Sequence, residues 1–221
     1  MTAITYRVAM EIAHHEALVR QAYKDSVGVW TWSVGLTAAT GHDVKRYIGK
    51  PQSLAHCLGV YVWALDNYAE AVRAEFKGHD LTEEQFGGAL SFQWNTGALR
   101  SASWPDLWKD GKVAEARASF LSWKKPAAII PRRQAEAALF FDGVWSAKGF
   151  MPEYTRVTAN STPDWRSRVL IDVEDELRGL LRGPIPTPEP PTDDRLARAA
   201  PVLAALAANL ADLTAILNPE P

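Results

Sequence analysis

The sequence predicts an α+β fold that is mainly helical and has one small β element near its amino terminus. Apolar residues recur at spacings of three and four along most of the chain up to residue 182, which is typical of amphipathic helices. Residues 22–36 differ, because β-branched and aromatic side chains stand there at near-alternate positions around a turn-forming segment at 25–28. Strands and helices do not alternate regularly, which argues against a parallel α/β fold.

Periodicity and end signals together predict five helices before residue 184. They cover approximately residues 4–16, 53–77, 82–94, 131–140 and 163–183. Thr82 and Gln85 form a capping-box pattern at the start of the third helix. Pro131 and Pro163 stand at the starts of the last two, where proline is tolerated, and Gly183 follows the final one. The β element, a small hairpin or meander, falls between the first two helices.

The chain is predicted to consist of one folded domain, a linker and a helical appendage. Residues 1–183 form the domain, and residues 184–194 are rich in proline, which excludes a helix and indicates a semi-rigid linker. In residues 195–221, leucines at positions 203, 206, 210, 213 and 217 form a coiled-coil-like stripe. We interpret the 195–217 helix as a surface for self-association or for a partner. Docking on the main domain and contact with a membrane surface are the alternatives.

Composition excludes several classes of function. Lys and Arg number 24 against 26 Asp and Glu, so the chain as a whole is not a nucleic-acid binder. The single Cys57 excludes an internal disulfide and a thiolate-rich metal site, and the five histidines lack ligand spacing, so no metal or other cofactor is expected. Residues 1–15 lack a signal-peptide pattern and no apolar run reaches about 20 residues, so we expect synthesis in a cytoplasm.

Glu16, Asp25 and Thr31 are the residues best placed to carry chemistry. A helix that ends near Glu16 and a hairpin that folds back can bring all three side chains around one cleft. Hydrolysis of a glycosidic bond needs one protonated carboxyl group for the leaving oxygen and one ionised carboxylate for the water or the positively charged sugar. A threonine hydroxyl can both donate and accept, so it can hold that water. By itself, however, this spacing also fits a surface glutamate and an ordinary turn aspartate.

Three motifs, in order, resemble those of phage-type lysozymes, glycoside hydrolase family 24. Residues 16–31 contain Glu, then Tyr-x-Asp, then Gly and Thr, and are similar to the catalytic segment of that family. Residues 90–97 resemble its Phe-x-x-Asn-x-Gly helix end, and residues 131–140 resemble its Arg-Arg-x-x-Glu helix. The stretch at residues 32–37 departs from the family's Gly-Tyr-Gly-His and keeps one glycine, Gly35.

The resemblance implies a two-lobed, lysozyme-like fold whose lobes are joined by the long helix at about 53–77. It also implies that Glu16 is the general acid, that Asp25 orients or activates the attacking water and that Thr31 helps to hold it. Inversion at the anomeric carbon would follow, with the carboxyl groups roughly 6.5–9.5 Å apart. The implied substrate is a peptidoglycan glycan strand, cut at the β-1,4 bond between N-acetylmuramic acid and N-acetylglucosamine for host lysis. Without a signal peptide, the enzyme would reach the periplasm through a lesion made by a partner such as a holin.

Five further residues are candidates for substrate binding. Gln93 and Asn95 stand at a helix end where amides can bond sugar groups, although capping of backbone is an equal alternative. Arg133, or its neighbour Arg132, can pair with Glu16 or simply with a surface group. Trp30 and Trp32 can line a sugar cleft, but alternate hairpin positions share one face, which can equally belong to the core.

Two other functions remain open at this stage. A lytic transglycosylase also protonates the leaving oxygen with one glutamate, but it closes an anhydro ring and needs no aspartate to hold water. A non-catalytic glycan-binding or scaffold protein could reuse the same fold.

Overall fold

A computed structural model describes residues 3–183 of the chain. The predicted linker at 184–194 and the predicted appendage at 195–221 lie outside the described residues. The helices of the described part are α1 Tyr6–Glu16, α2 Leu54–Glu75, α3 Glu83–Thr96, α4 Trp104–Lys109, α5 Val113–Leu121, α6 Ile130–Asp142 and α7 Glu174–Arg182. Its strands are β1 Val19–Lys24, β2 Trp30–Ser33, β3 Leu36–Thr37, β4 Met151–Tyr154 and β5 Arg168–Ile171. No helix within residues 3–183 is long and apolar enough to cross a membrane.

Helix α1 ends at Glu16, as predicted, and begins at Tyr6, two residues after the predicted start. The hydroxyl of Thr5 accepts a hydrogen bond from the Val8 N–H at 3.2 Å and caps its start. Its buried side packs against α3 and α7. Ala17 follows with φ of +64°, a left-handed conformation that ends the helix directly after Glu16.

The amino-terminal β element is a three-stranded antiparallel sheet in the order β1-β2-β3. Its first strand begins at Val19, three residues before the predicted boundary. In the register of the sheet, Thr31 on β2 lies opposite Tyr23 on one side and Thr37 on the other. The turn between β1 and β2 closes with a hydrogen bond from the Asp25 N–H to the Val29 carbonyl at 3.0 Å.

The helices α2, α3 and α6 confirm the sequence predictions closely. The capping box of α3 is present, with Thr82 and Gln85 hydrogen-bonding each other's backbone N–H at 3.2 and 3.0 Å. Helices α3 and α6 pack closely, because a Cβ on Gly88 would lie only 2.8 Å from the Cβ of Phe140. Buried aromatic rings fill the helical core around this contact, among them Phe92, Trp104, Phe120 and Phe140.

The predicted helix at residues 163–183 is wrong over its first half. Residues 165–167 form a short 3₁₀ turn, residues 168–171 form β5, and only Glu174–Arg182 are α-helical. The side chain of Asp172 accepts a hydrogen bond from the Glu174 N–H at 2.9 Å, and this starts α7 after the strand. Helices α4 and α5 were not predicted.

Strands β4 and β5 form a second antiparallel hairpin, which lies against β1. The Leu18 N–H donates to the Pro152 carbonyl at 2.7 Å, and the Tyr154 N–H donates to the Leu18 carbonyl at 2.9 Å. Arg20 on β1 binds the buried carboxylate of Glu153 through two hydrogen bonds of 2.7 and 3.1 Å. The hairpin is therefore fixed along β1, the strand that follows Glu16 and precedes Asp25.

A buried carboxylate on α1 holds the segment that leads into this hairpin. Glu11 is fully buried, and its oxygens accept hydrogen bonds from the N–H groups of Ser146 and Ala147 at 2.8–3.2 Å. Burial raises the pKa of Glu11, but the hydrogen bonds from His15, Ser146 and Ala147 outweigh it and lower the pKa overall. The chain after α6 is thus anchored to α1 through an ionised side chain.

Candidate active site

The carboxylate of Glu16 lies at the end of α1 and forms an ion pair with Arg132 of α6. The Glu16 side chain is 19% exposed and that of Arg132 only 10%, so the pair is largely screened from bulk water. Burial lowers the pKa of Arg132, but the charges of Glu16 and Glu136 outweigh this effect and raise it, so the guanidinium stays charged. The sequence offered Arg132 or Arg133 as the partner of Glu16, and the structure selects Arg132.

Gly35, between β2 and β3, leaves room for the Glu16 carboxylate. A Cβ at this position would lie 2.6 Å from Oε2 of Glu16, far inside van der Waals contact. Its φ of +74° is also a conformation that other residues rarely adopt. Two independent constraints therefore require glycine here, and Gly35 is the one glycine that the chain keeps from the family's Gly-Tyr-Gly-His stretch.

A cavity of about 360 Å³ opens at Glu16. One side is formed by the β3 region, including Gly35 and Thr37, and the other by Tyr68 of α2 and the carboxyl end of α3 with Asn95. The left-handed Gly97, with φ of +62°, ends α3 at this cavity. The site is thus a cleft between the small sheet and the helical part of the molecule, with the carboxylate in its wall.

Asp25 lies in the turn after β1, and this turn orients its carboxylate. Oδ1 accepts hydrogen bonds from the N–H groups of Val27 at 3.0 Å and Val29 at 2.8 Å. Among residues 3–183, no hydrogen bond is made to Oδ2. One oxygen therefore fixes the side chain, and the other is available to an incoming molecule.

Thr31 is buried on β2, and its hydroxyl donates to the Val29 carbonyl at 3.2 Å. Neither Thr31 nor Asp25 lines the cavity at Glu16, but Thr31 is paired in register with Thr37, which does. Burial raises the pKa of Tyr23, and the nearby charges of Glu16 and Asp25 raise it further. Tyr23, itself opposite Thr31, therefore lies within electrostatic range of both acids.

A buried network behind Glu16 connects it to the end of α3. Glu136 accepts hydrogen bonds from Arg132 at 2.9 Å, from Arg133 at 2.5 Å and from Ser91 at 2.6 Å. Arg133 also donates to the Asn95 side-chain oxygen at 2.7 Å and is only 1% exposed. Because every charge is paired, the network holds Arg132 in position without leaving an unsatisfied buried ion. The guanidinium of Arg133 is occupied by these partners, although Arg133 also borders a cavity next to Asn95, so its contact with substrate stays a prediction.

The structure separates the other predicted sugar-binding residues. Trp32 is fully buried, stacks on Tyr47 with ring centroids 3.9 Å apart and donates from Nε1 to a backbone carbonyl, so the prediction that it binds sugar is wrong. Gln93 accepts a hydrogen bond from the Leu99 N–H at 3.0 Å, which is the capping alternative. Trp30 is partly exposed, and Asn95 is exposed in the wall of the cavity. Both remain predicted substrate contacts.

A second cavity, of about 530 Å³, shares Asn95 and Thr96 with the first and so continues the cleft. Lys124, Lys125 and Trp123 contribute to its wall. Sequence reasoning did not find these residues or Tyr68, because none belongs to a motif and only the packing of distant segments brings them to the cleft. Thr37 was also missed, because the stretch at 32–37 departs from the family pattern.

Comparison with known proteins gives one family and several related folds. The family model "Phage lysozyme" matches residues 13–136. An endolysin from Escherichia coli O157:H7 phage FAHEc1 is 22% identical, with a TM-score of 0.56, and the match covers 66% of this chain and 96% of that chain. The muramidase domain of SpmX from Asticaccaulis excentricus is 23% identical, with a TM-score of 0.54 and coverage of 63% and 98%.

A mutant of P22 lysozyme is 24% identical, with a TM-score of 0.53, and is matched over 63% of this chain and 99% of its own length. At these identities the similarity shows a shared, lysozyme-like α+β fold. About a third of this chain lies outside each of these structural matches. Curated proteins give no significant match.

Proposed function

Because the chain belongs to the phage lysozyme family, and is therefore a lysozyme-type glycoside hydrolase with peptidoglycan as its substrate, we propose that it is an endolysin muramidase. In this proposal it hydrolyses the β-1,4 bond between N-acetylmuramic acid and N-acetylglucosamine. The observation that carries the proposal is the placement of Glu16, held by Arg132 and given room by Gly35, in the wall of a cleft.

In the proposed mechanism, Glu16 donates its proton to the bridging oxygen as the bond between that oxygen and the anomeric carbon breaks. A water molecule attacks the anomeric carbon from the opposite face and passes a proton to the Asp25 carboxylate. The free Oδ2 of Asp25 supports this assignment. The Thr31 hydroxyl donates its hydrogen to the Val29 carbonyl, so the hydroxyl oxygen can accept a hydrogen bond from that water.

Water attack on the face opposite the leaving group gives inversion of configuration, provided that the two carboxyl groups leave room for the water between them. Asn95 and Trp30 would contact the strand on either side of the reacting sugars. The proposed biological role is lysis of the host at the end of a phage cycle. Synthesis takes place in the host cytoplasm, and a holin-type partner releases the enzyme to the periplasm.

The test is hydrolysis of purified peptidoglycan by the wild type, by Glu16→Gln and by Glu70→Gln. Glu70 is an exposed glutamate on α2, so its variant controls for the loss of one carboxylate. We expect Glu16→Gln to lose about 10²- to 10⁴-fold in rate, as is typical when a general acid is removed. The control should retain the full rate.

Mass spectrometry of the fragments decides between the possible reactions. Reducing muramic acid ends support hydrolysis, and NMR of the freshly released products, in which inversion gives the α anomer, supports the proposed mechanism. Anhydro ends would instead identify a lytic transglycosylase. A wild-type protein that binds peptidoglycan but releases no fragments would identify a non-catalytic glycan-binding protein, and full activity of Glu16→Gln would remove Glu16 from the mechanism.

A further inference from the structure

The β4–β5 hairpin lies outside the segment matched by the family model, which ends at residue 136. The hairpin nevertheless contacts both ends of the segment that connects Glu16 with Asp25 and contains β1. At the Glu16 end, β4 pairs with Leu18, and at the Asp25 end the Lys24 N–H donates to the Ser161 carbonyl at 2.6 Å. The loop of the hairpin therefore borders the turn that holds the Asp25 carboxylate.

This loop, residues 155–167, is held by its own hydrogen bonds. The Arg156 guanidinium binds Asp164 through two hydrogen bonds of 3.1 and 2.8 Å, and the Asp164 N–H donates to the Arg156 carbonyl at 2.9 Å. At the tip, the Thr158 N–H donates to the Thr162 carbonyl at 2.8 Å. The loop thus has a defined shape and can hold a side chain in a fixed position.

The side chain that this loop presents is Trp165, which is 69% exposed. Its ring packs edge-on against Tyr154, with centroids 5.0 Å apart, so the indole is oriented although it is not covered. The Tyr154 N–H donates to the Leu18 carbonyl at 2.9 Å, which places Tyr154 beside the segment that directly follows Glu16. An indole fixed in this way offers a large contact area at a low cost in conformational entropy.

The charges around Trp165 also favour an anionic polymer. Arg156, Arg166 and Arg168 are all exposed on the hairpin, where Asp164 pairs with Arg156 and the exposed Asp172 follows β5. Among residues 3–183, Arg166 and Arg168 form no ion pair, so they are the cations that the hairpin can offer to a ligand. Peptidoglycan carries carboxylates on its stem peptides, while its pyranose rings expose C–H faces that pack against aromatic rings. The combination of a flat aromatic ring and surrounding arginines matches both features of that strand.

We propose that the β4–β5 hairpin extends the glycan-binding site beyond Asp25 and that Trp165 stacks on a sugar ring of the bound strand. This inference rests on the proposed function, since it concerns the same substrate. In this proposal Trp165 binds long strands, while Glu16, Asp25 and Thr31 act at the bond that is cut.

The test compares Trp165→Ala with Leu170→Ala, a control that removes an exposed apolar side chain from the same hairpin. Binding is measured in a Glu16→Gln background, so that the strands are not hydrolysed. The ligands are peptide-free glycans of two lengths, long strands and four-sugar fragments. We expect Trp165→Ala to weaken binding of long strands about fivefold to tenfold and to leave four-sugar binding unchanged. Leu170→Ala should bind both as the background protein does.

In the protein with Glu16 intact, Trp165→Ala should raise KM for long strands by the same factor with kcat unchanged. Equal affinity of Trp165→Ala and its background for long strands would overturn the inference, as would an equal loss in Leu170→Ala. Loss of binding only to vesicles of phosphatidylglycerol and phosphatidylethanolamine would assign the hairpin to a membrane instead. Because binding is measured without turnover, it does not depend on the proposed hydrolysis. A failure of that proposal would be seen instead in the activity assay, where the wild type would release no fragments.

Discussion

The Glu16 carboxylate is positioned by one charged residue and by one residue without a side chain. Arg132 holds one carboxylate oxygen, and Gly35 leaves space for the other. A general acid must meet its oxygen within a narrow range of distance, and a displacement of about 1 Å can cost on the order of 100-fold in rate. Small changes at Gly35 should therefore act on catalysis more than on folding.

We predict that Gly35→Ala lowers kcat about 10- to 100-fold, because its Cβ would push the Glu16 carboxylate away from Arg132. The positive φ should also cost about 1–2 kcal/mol of stability. Gly41→Ala is the matched control, since Gly41 has a φ of +81° and no atom within 4 Å of its would-be Cβ. Both variants should lose similar stability in urea unfolding, and only Gly35→Ala should lose activity. Equal kcat values for the two variants would contradict the role of Gly35.

For single residues, the sequence predicted which residue types form the site better than it predicted where their side chains point. The motifs led to Glu16 and its arginine, but the choice between Arg132 and Arg133 depends on which helix face meets α1. Trp30 and Trp32 pose the same problem, since only the packing of α2 and the 44–47 turn against the sheet buries Trp32. Periodicity does not contain this information.

Among the elements, those with both a cap and a regular apolar stripe were predicted correctly. The capping box of α3 is one example. Residues 163–183 were misassigned because apolar residues at positions 165, 169 and 173 imitate a helical stripe, while the segment at 168–171 pairs with β4 instead. A strand that is stabilised by a partner 14 to 20 residues away cannot be recognised from its own spacing.

The contact between the small sheet and α2 contains a buried imidazole, that of His42. His42, only 6% exposed, packs its ring near Trp32 and shares a 3.0 Å hydrogen bond with the Tyr47 hydroxyl, which also bonds His56 at 2.8 Å. Burial lowers the pKa of His42 to about 4, and the positive charge of Arg46 adds to this effect. The folded protein therefore keeps this imidazole neutral under mildly acidic conditions.

We predict that the protein loses stability as the pH falls from about 6.5 towards 4. In this range the unfolded chain binds a proton at His42 and the folded chain does not, so lower pH favours unfolding by up to about 3 kcal/mol. Thermal unfolding of the wild type and of His42→Phe at pH 7 and pH 4.5 measures the effect. The difference in melting temperature between the two pH values should be smaller in the variant than in the wild type. The difference that remains in the variant is due partly to His56, whose pKa is also lowered by burial. An unchanged difference would exclude His42 as the cause.

On the scale of the whole molecule, the fold class and the family site were predictable, and the β4–β5 hairpin was not. Three motifs in a fixed order located the cleft, because the first two supply Glu16 and Asn95 to its wall and the third supplies Arg132, which pairs with Glu16. The hairpin follows the last motif and resembles nothing in the sequence pattern of the family. Its place beside β1 depends on contacts between residues more than 130 positions apart, such as Arg20 with Glu153.

We predict that a chain ending at Gly183 hydrolyses peptidoglycan at the rate of the full-length protein. Glu16, its partner Arg132 and the residues that line the cavity at Glu16 all lie within residues 3–183. If the 195–217 helix mediates self-association, the shortened chain should have a lower mass in light scattering at equal concentration, while turbidity assays on cell walls give equal rates. Loss of soluble, folded protein on shortening would show that the appendage is not a separate unit.

The attachment of the β4–β5 hairpin through buried carboxylates limits how it can be transferred to other enzymes. Glu153 needs Arg20, and Glu11 needs the N–H groups of Ser146 and Ala147. Grafting residues 146–171 alone onto another lysozyme would leave Glu153 as an unpaired charge inside the recipient, at a cost of about 3–5 kcal/mol. A working chimera therefore needs the hairpin together with its two partners, Glu11 on the first helix and Arg20 on the first strand, placed at the equivalent positions of the recipient.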